Sequence, residues 1–148
     1  TEEDVAAIVT PSPTHTIFNL TDAVVEGRTA AALAAYRDCL YLGSKSPQVL
    51  RQLEDTVRRL LEVQAMLAEG MSQSAIRAEI KRHEFYVKKL TAQARRLSSD
   101  ALAHLYCYLV DCDVKSKRTA RLDMDAFVEE VIINCCATIA VRGRRAPR

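Results

Sequence analysis

EFYVKKLTAQARRLSSDALAHLYCYLVDCDVKSK, residues Glu84–Lys117, is the stretch around which the chain is organised. Two helical patterns meet in it at Ser98-Ser99. Phe85, Tyr86, Leu90, Ala94 and Leu97 recur at helical spacing as one apolar stripe, and Lys88, Lys89, Arg95 and Arg96 lie mostly off it. In the second pattern Leu102, Leu105, Tyr106, Leu109 and Val110 share a face, which ends in a charged turn holding Asp111, Asp113, Lys115 and Lys117. The pattern predicts a helical hairpin, with the preceding chain leading into it and the last helix closing over it.

The composition agrees with a helical reading. A chain of 148 residues is long enough for one compact domain with a real core. Four glycines and four prolines are few for that length, so breaks are sparse and elements are long. The fold class is therefore all-α, a compact bundle of about seven helices. A net charge of +2 is too small to argue for nucleic acid by itself. Its distribution is uneven: Arg77, Lys81, Arg82, Lys88, Lys89, Arg95 and Arg96 crowd a segment whose acids are Glu79 and Glu84. Such a run usually marks a solvated helix face. The five cysteines are odd in number, form no CxxC pair and fall within helical patterns, which predicts reduced thiols packed as small hydrophobes in a cytoplasmic protein. His15, His83 and His104 show no ligand spacing with them, so no metal site is expected. No signal peptide and no apolar run of spanning length is present, so no membrane role is expected.

From the N-terminus, Thr1–Val9 reads as the end of a helix, with Thr1 and Asp4 in capping-box positions. Pro11 and Pro13 then mark a linker, since each pushes its preceding residue out of the α region. Residues 1–14 are accordingly read as a helical stub and a Pro-rich linker, 15–141 as the main domain, and 142–148 as an Arg-rich tail without fixed structure. The absence of an initial Met suggests a piece of a longer chain. In the main domain, Thr16 is expected to cap a helix from Ile17 to Glu26, and Thr29 one with a Leu33, Tyr36 and Leu40 stripe ending at Gly43. Ser46-Pro47 starts the longest helix, with Leu50, Leu53, Val57, Leu60, Leu61 and Leu67 inward and the pairs Glu54–Arg58 and Asp55–Arg59 outward. Ser72 caps a short helix, and Asp123 caps the last one, whose Met124, Phe127, Val128, Val131, Ile132, Cys135, Cys136 and Ile139 form an unbroken amphipathic series.

No residue set points to catalysis. There is no GxxxxGK[ST], GxGxxG, nucleophile elbow or HExxH, so neither catalytic nor cofactor-binding residues are expected. A small helical enzyme would need a pocket of clustered perturbed ionisable groups. Asp111–Lys115 and Asp113–Lys117 read as exposed i,i+4 pairs or as a contact between subunits. His83 reads as a turn or cap residue. Ser72–Arg96 has the outline of a helix-turn-helix, with Lys88, Lys89, Gln93, Arg95 and Arg96 as possible DNA contacts.

Taken in order, these segments resemble the C-terminal domain of the DNA polymerase III delta subunit family. IFNLTDAVVEGRTAAAL (Ile17–Leu33) is similar to its opening, with Ile17, Phe18, Leu20, Asp22, Ala23 and Gly27 in matching positions. VRRLLEVQAMLAEGMS (Val57–Ser72) resembles its long helix, with Gln64 where Lys is common. His83, Phe85, Val87, Lys88, Lys89 and Leu90, then Gln93, Ala94, Arg95 and Arg96, resemble a third motif, with Glu84 in place of the usual Pro. Asp113, Lys115 and Ser116 resemble a fourth, with Lys117 at its Gly position.

The resemblance implies a clamp-loader collar: a helical domain that packs beside the collars of delta-prime and tau/gamma in a five-membered ring. The full-length protein would engage the sliding clamp and primed DNA in replication, and Thr1–Val9 would be the final helix of an AAA+-like lid domain. It also implies no active site, with Asp113, Lys115 and Ser116 as residues of the interface between subunits. The rival reading is a helix-turn-helix DNA-binding transcriptional regulator using Lys88, Lys89, Arg95 and Arg96.

Overall fold

The computed structural model describes residues 12–143. The expected stub at Thr1–Val9 and tail positions 144–148 lie outside them. Seven helices and no strand occur among the described residues: α1 (Pro13–Val25), α2 (Thr29–Tyr41), α3 (Ser46–Ala68), α4 (Gln73–Ile80), α5 (Glu84–Arg96), α6 (Ser99–Arg118) and α7 (Met124–Arg142). The all-α expectation is met.

The long helix α3 is the axis of the bundle. Val49, Leu50, Leu53, Val57, Leu60 and Val63 are all but inaccessible, and they fall at the i, i+3, i+4 positions that make one continuous stripe. Helices α1, α5, α6 and α7 pack on it, while α2 sits across α1 and α7, and α4 leans on α5. The C-terminal helix closes the core as expected: Val128, Val131, Ile132, Cys135, Cys136 and Ile139 are buried, and α7 touches α1, α2, α3 and α6.

Side chains end the helices largely where the sequence placed them. Oγ of Ser72 accepts from the Ala75 amide at 3.2 Å, and a carboxylate oxygen of Asp123 accepts from that of Ala126, also at 3.2 Å. Each satisfies a first-turn N–H that has no partner within its helix. Two starts differ. Helix α1 begins four residues before Ile17, because Ser12 caps it and accepts from the His15 amide at 3.1 Å, while Pro13 occupies the first turn. Proline there forfeits no hydrogen bond, so the second proline of the supposed linker opens the helix. Thr16, expected as the cap, instead lies inside the helix and donates to the Ser12 carbonyl at 3.1 Å. Thr29 does not cap α2 either; that helix has no side-chain cap, and the Thr29 hydroxyl faces the Cys136 thiol. At the other end, α7 runs through Arg142 into Gly143, so the tail begins later than position 142.

The seam of α2 is also shifted. Ala32, Ala35, Tyr36 and Cys39 are buried, whereas Leu33 and Leu40 are only partly so. Small residues let α2 lie close against its neighbours. Gly27 shows how close: its backbone has φ +71°, and a Cβ there would sit 3.3 Å from the Ile139 side chain. Tyr36 closes a polar knot between three helices. Its hydroxyl donates to the Asp125 carbonyl at 2.9 Å and lies 3.3 Å from Oγ of Ser46, which in turn donates to the Asp125 carboxylate. Burial holds the Tyr36 phenol above its ordinary pKa.

Four cysteines are buried and one, Cys107, is exposed, which corrects the expectation that all five are packed. It stands on the outer face of α6, off the Leu102–Leu105–Leu109 stripe. Burial raises the thiol pKa of Cys39 to about 11 and pushes those of Cys112, Cys135 and Cys136 up as well.

Two outcomes are expected. Tyr36→Phe, which removes the donor to a buried carbonyl, should lower unfolding free energy by about 1–2 kcal/mol in a denaturant titration. A thiol-reactive chromophore should modify Cys107 promptly in the folded protein and the other four cysteines only as it unfolds.

Candidate functional site

The two groups of residues singled out from the sequence occupy different helices, and no hydrogen bond or ion pair among the described residues joins them. The first is the end of α6. Asp111, Asp113, Lys115 and Lys117 are not in a turn; the helix continues through all four to Arg118. Lys117 Nζ donates to the Asp113 carboxylate at 2.9 Å, as i,i+4 spacing predicts. Lys115 does not pair with Asp111. Its ammonium lies 5.8 Å from the centre of the Phe127 ring on α7, within reach of a cation–π attraction. Oγ of Ser116 donates to the Asp113 carbonyl at 2.7 Å, and that of Thr119 to the Lys115 carbonyl at 3.0 Å. The Thr119 bond occupies a carbonyl of the last turn, which a helix end otherwise leaves open, while the Ser116 hydroxyl shares a carbonyl inside the helix. Lysines at that end also oppose the negative pole of the helix.

Glu54 of α3 faces this end of α6. Burial raises its carboxyl pKa, and the nearby Asp113 and Asp55 add to the effect, while Lys117 and Arg58 oppose it. The expected Glu54–Arg58 and Asp55–Arg59 pairs are replaced by an Arg58–Asp55 contact of 3.3 Å. Residue 54 thus holds its carboxyl in a partly buried position without a cation bound directly to it among the described residues.

The second group is on α5. His83 caps it, its Nδ1 accepting from the Phe85 amide at 3.1 Å, which settles its role as a cap. The left-handed Lys81, at φ +58°, makes the turn from α4. Lys88, Lys89, Arg95 and Arg96 are exposed and Gln93 is buried, but Lys89 and Gln93 are both engaged with another helix of the domain. Lys89 forms an ion pair with Asp22 of α1, and the side-chain amide of Gln93 donates to the same carboxylate at 3.0 Å. Gln93 is buried, so it cannot reach a groove. The inward stripe of α5 is also rotated from the expected one. Val87 is buried and Phe85 is 71% exposed, because Val87, Leu90, Ala94 and Leu97 meet the core in the i, i+3, i+7, i+10 order.

Sequence reasoning missed two further features. Gln64 of α3 is buried, and its amide donates to the carbonyls of Ala94 and Leu97 at 3.0 and 2.8 Å, closing the end of α5. The other is a cleft between α1, α3 and the start of α5. The rings of Phe18 and Tyr86 meet across it at 5.5 Å between centres. On one side is a cavity of 490 Å³ lined in part by Thr14, Gln52, Arg59 and Arg82; on the other is one of 300 Å³ lined in part by His15 and Phe85. Burial raises the Tyr86 phenol pKa, and the guanidinium groups of Arg59 and Arg82 oppose that shift. Nothing in local spacing signals either feature, since Asp22 and Lys89 are 67 positions apart and Gln64 and Leu97 are 33 apart. Among the described residues, no group of three or more His, Cys, Asp or Glu side chains could hold a metal ion, and no helix is long and apolar enough to cross a membrane.

The family model for the DNA polymerase III delta subunit, C-terminal domain, matches residues 14–135. The chain is 26% identical over 129 residues to the DNA polymerase III subunit delta of Bacillus subtilis, covering 87% of this chain and 37% of that protein. The solved structure of the Bacillus subtilis DNA clamp loader delta protein superposes with a TM-score of 0.79 at 24% identity, over 91% of this chain and 40% of the other. That superposition shows a shared fold. The chain spans well under half the length of the relatives it matches.

The Glu54 carboxyl is raised in the folded state, so its ionisation opposes folding. The penalty is absent below the unfolded carboxylate pKa, grows as pH rises from there through the folded one, and is complete above it. Glu54→Gln should therefore raise the thermal midpoint at neutral pH, with the gain disappearing when both proteins are compared at acid pH.

Proposed function

Because this chain belongs to the family of C-terminal domains of the DNA polymerase III delta protein, we propose that it is a collar domain that holds clamp-loader subunits together during sliding-clamp loading. The family match over residues 14–135 carries this reading. Its partners would be the collars of delta-prime and tau/gamma, with the sliding clamp and primed DNA engaged by the whole protein. The domain contributes association and no catalytic step.

The end of α6 is the surface we assign to contact with a neighbouring collar. The Asp113 carboxylate is held by Lys117, the Ser116 hydroxyl by the Asp113 carbonyl and the Lys115 ammonium by the Phe127 ring, so less side-chain freedom remains to be lost when a partner packs there. The rival DNA-binding reading is weakened by the same contacts that anchor α5. With Lys89 paired to Asp22 and Gln93 buried, Lys88, Arg95 and Arg96 remain of its proposed contacts.

Size-exclusion chromatography with delta-prime and tau/gamma present together, beside a duplex-DNA titration at two salt concentrations, tests the two readings. A collar should co-migrate with the other proteins and bind duplex feebly. A DNA-binding regulator should bind it tightly, with affinity falling steeply with salt as counterions are released. Reversing charge at Asp113 and Lys115 together should weaken co-migration while leaving the thermal midpoint nearly unchanged. An unaltered elution profile with intact stability would make these two residues ordinary surface.

A further inference from the structure

The cleft around Phe18 and Tyr86 has no part in the reading above, and its two cavities differ in character. The larger holds Arg59 and Arg82, neither of which forms an ion pair among the described residues. Asp55, also in its lining, is engaged by Arg58. Both guanidinium groups oppose the burial-raised pKa of the Tyr86 phenol, so two cations flank one ring. The side-chain amides of Gln48 and Gln52, one helical turn apart on α3, line the same cavity and make no hydrogen bond among the described residues. The smaller cavity is mostly apolar, with Phe18, Phe85, Tyr86 and Leu90 in its wall; its Asp22 and Lys89 are paired with each other. Phe18 is 40% exposed and Phe85 71%, so aromatic surface is open at its mouth.

We propose that this cleft docks an acidic segment of another protein, one that carries an apolar side chain next to its acids. The carboxylates meet Arg59 and Arg82, since one guanidinium offers two parallel N–H bonds to the two oxygens of a carboxylate. The segment's backbone meets the Gln48 and Gln52 amides, and its apolar side chain enters the smaller cavity. Two features select a polypeptide over a strand of nucleic acid. Cations and rings are segregated into adjoining cavities, whereas a strand alternates phosphate and base at every unit. A peptide backbone both donates and accepts, as the glutamine amides do. A phosphodiester only accepts, and it would face the side-chain carbonyls of Gln48 and Gln52 and the Asp55 carboxylate without a donor for them. The collar reading neither requires nor predicts this contact.

The test titrates the whole chain with a fluorescein-labelled peptide, Glu-Glu-Asp-Leu-Phe, and follows its anisotropy. Binding should shift the amide signals of Thr56, Arg82 and Tyr86. Arg59→Gln and Arg82→Gln should each weaken it by about ten-fold, the loss of one charge-assisted contact. Phe85→Ala, or Ser-Ser in place of the peptide's Leu-Phe, should weaken it several-fold. Residues 82 and 85 are exposed, so the thermal midpoint should stay unchanged in those two variants. No binding, or binding indifferent to the two arginines, overturns the proposal. Displacement of the peptide by an equal concentration of single-stranded oligodeoxythymidine would assign the cleft to nucleic acid. A peptide that instead dissociates a dimer of the chain would assign it to a second copy, and either result also overturns the proposal.

Discussion

The junction at Leu97–Ser98 is the point on which the bundle depends. Two helices meet there, so four carbonyls at one end and four amides at the other lose their intrahelical partners within a few residues. All four helices that meet at this point contribute to closing it. Gln64 reaches from α3 to the Ala94 and Leu97 carbonyls, and Oγ of Ser98 accepts from the Ala101 amide at the start of α6. The Ser98 amide donates to the Gly143 carbonyl at 2.8 Å, and its hydroxyl donates to the Arg142 carbonyl at 3.0 Å, which fixes the end of α7. The fit tolerates no side chain at Gly143, where a Cβ would lie 2.4 Å from the Ile139 carbonyl oxygen. Burying these groups unpaired would cost about 1–3 kcal/mol each, a large fraction of a small domain's stability.

Charge is distributed by the same logic. The basic run that stands out in the sequence is partly consumed in holding helices to one another. Lys89 is tied to Asp22 across α1 and α5, and Arg77 lies 3.6 Å from Glu84 between α4 and α5. The Asp22 carboxylate also receives the buried Gln93 amide, so one acid anchors two α5 side chains. A surface that had to bind phosphates would leave such cations to the solvent. Here the more exposed Arg77–Glu84 contact adds little energy, while the Asp22 contacts set where α5 lies on α1.

The helices were legible because their apolar spacing is a local property. The all-α class, the seven elements and the buried face of α7 follow from residues three and four apart. The errors came where a local signal had two readings. Pro13 is equally at home in a linker and in the first helical turn, and only the Ser12 cap decides between them. On α5, stripes through Phe85 or Val87 are both helical, and packing against the rest of the bundle selects Val87. Cys107 follows a helical pattern and still faces solvent. The long-range polar contacts could not be read at all, because nothing in a single sequence says that Asp22 will meet Lys89 or that Gln64 will meet Leu97. The resemblance placed Asp22, Gln64, Lys89 and Gln93 in motif positions without saying what they do. The structure shows that much of that motif pattern is internal wiring.

That division bears on what a site means in such a domain. Residues of the motifs that fix helix ends and helix pairs are buried or paired, and a substitution there acts through stability. What remains free to meet a partner is what the internal contacts do not use: the ordered end of α6, the open aromatic cleft beside Arg59 and Arg82, and the solvent face of α5. The first of these is presented on the rigid end of a long helix that is packed along α3 and α7. A contact carried there moves only if the bundle moves, which suits the collar role proposed above.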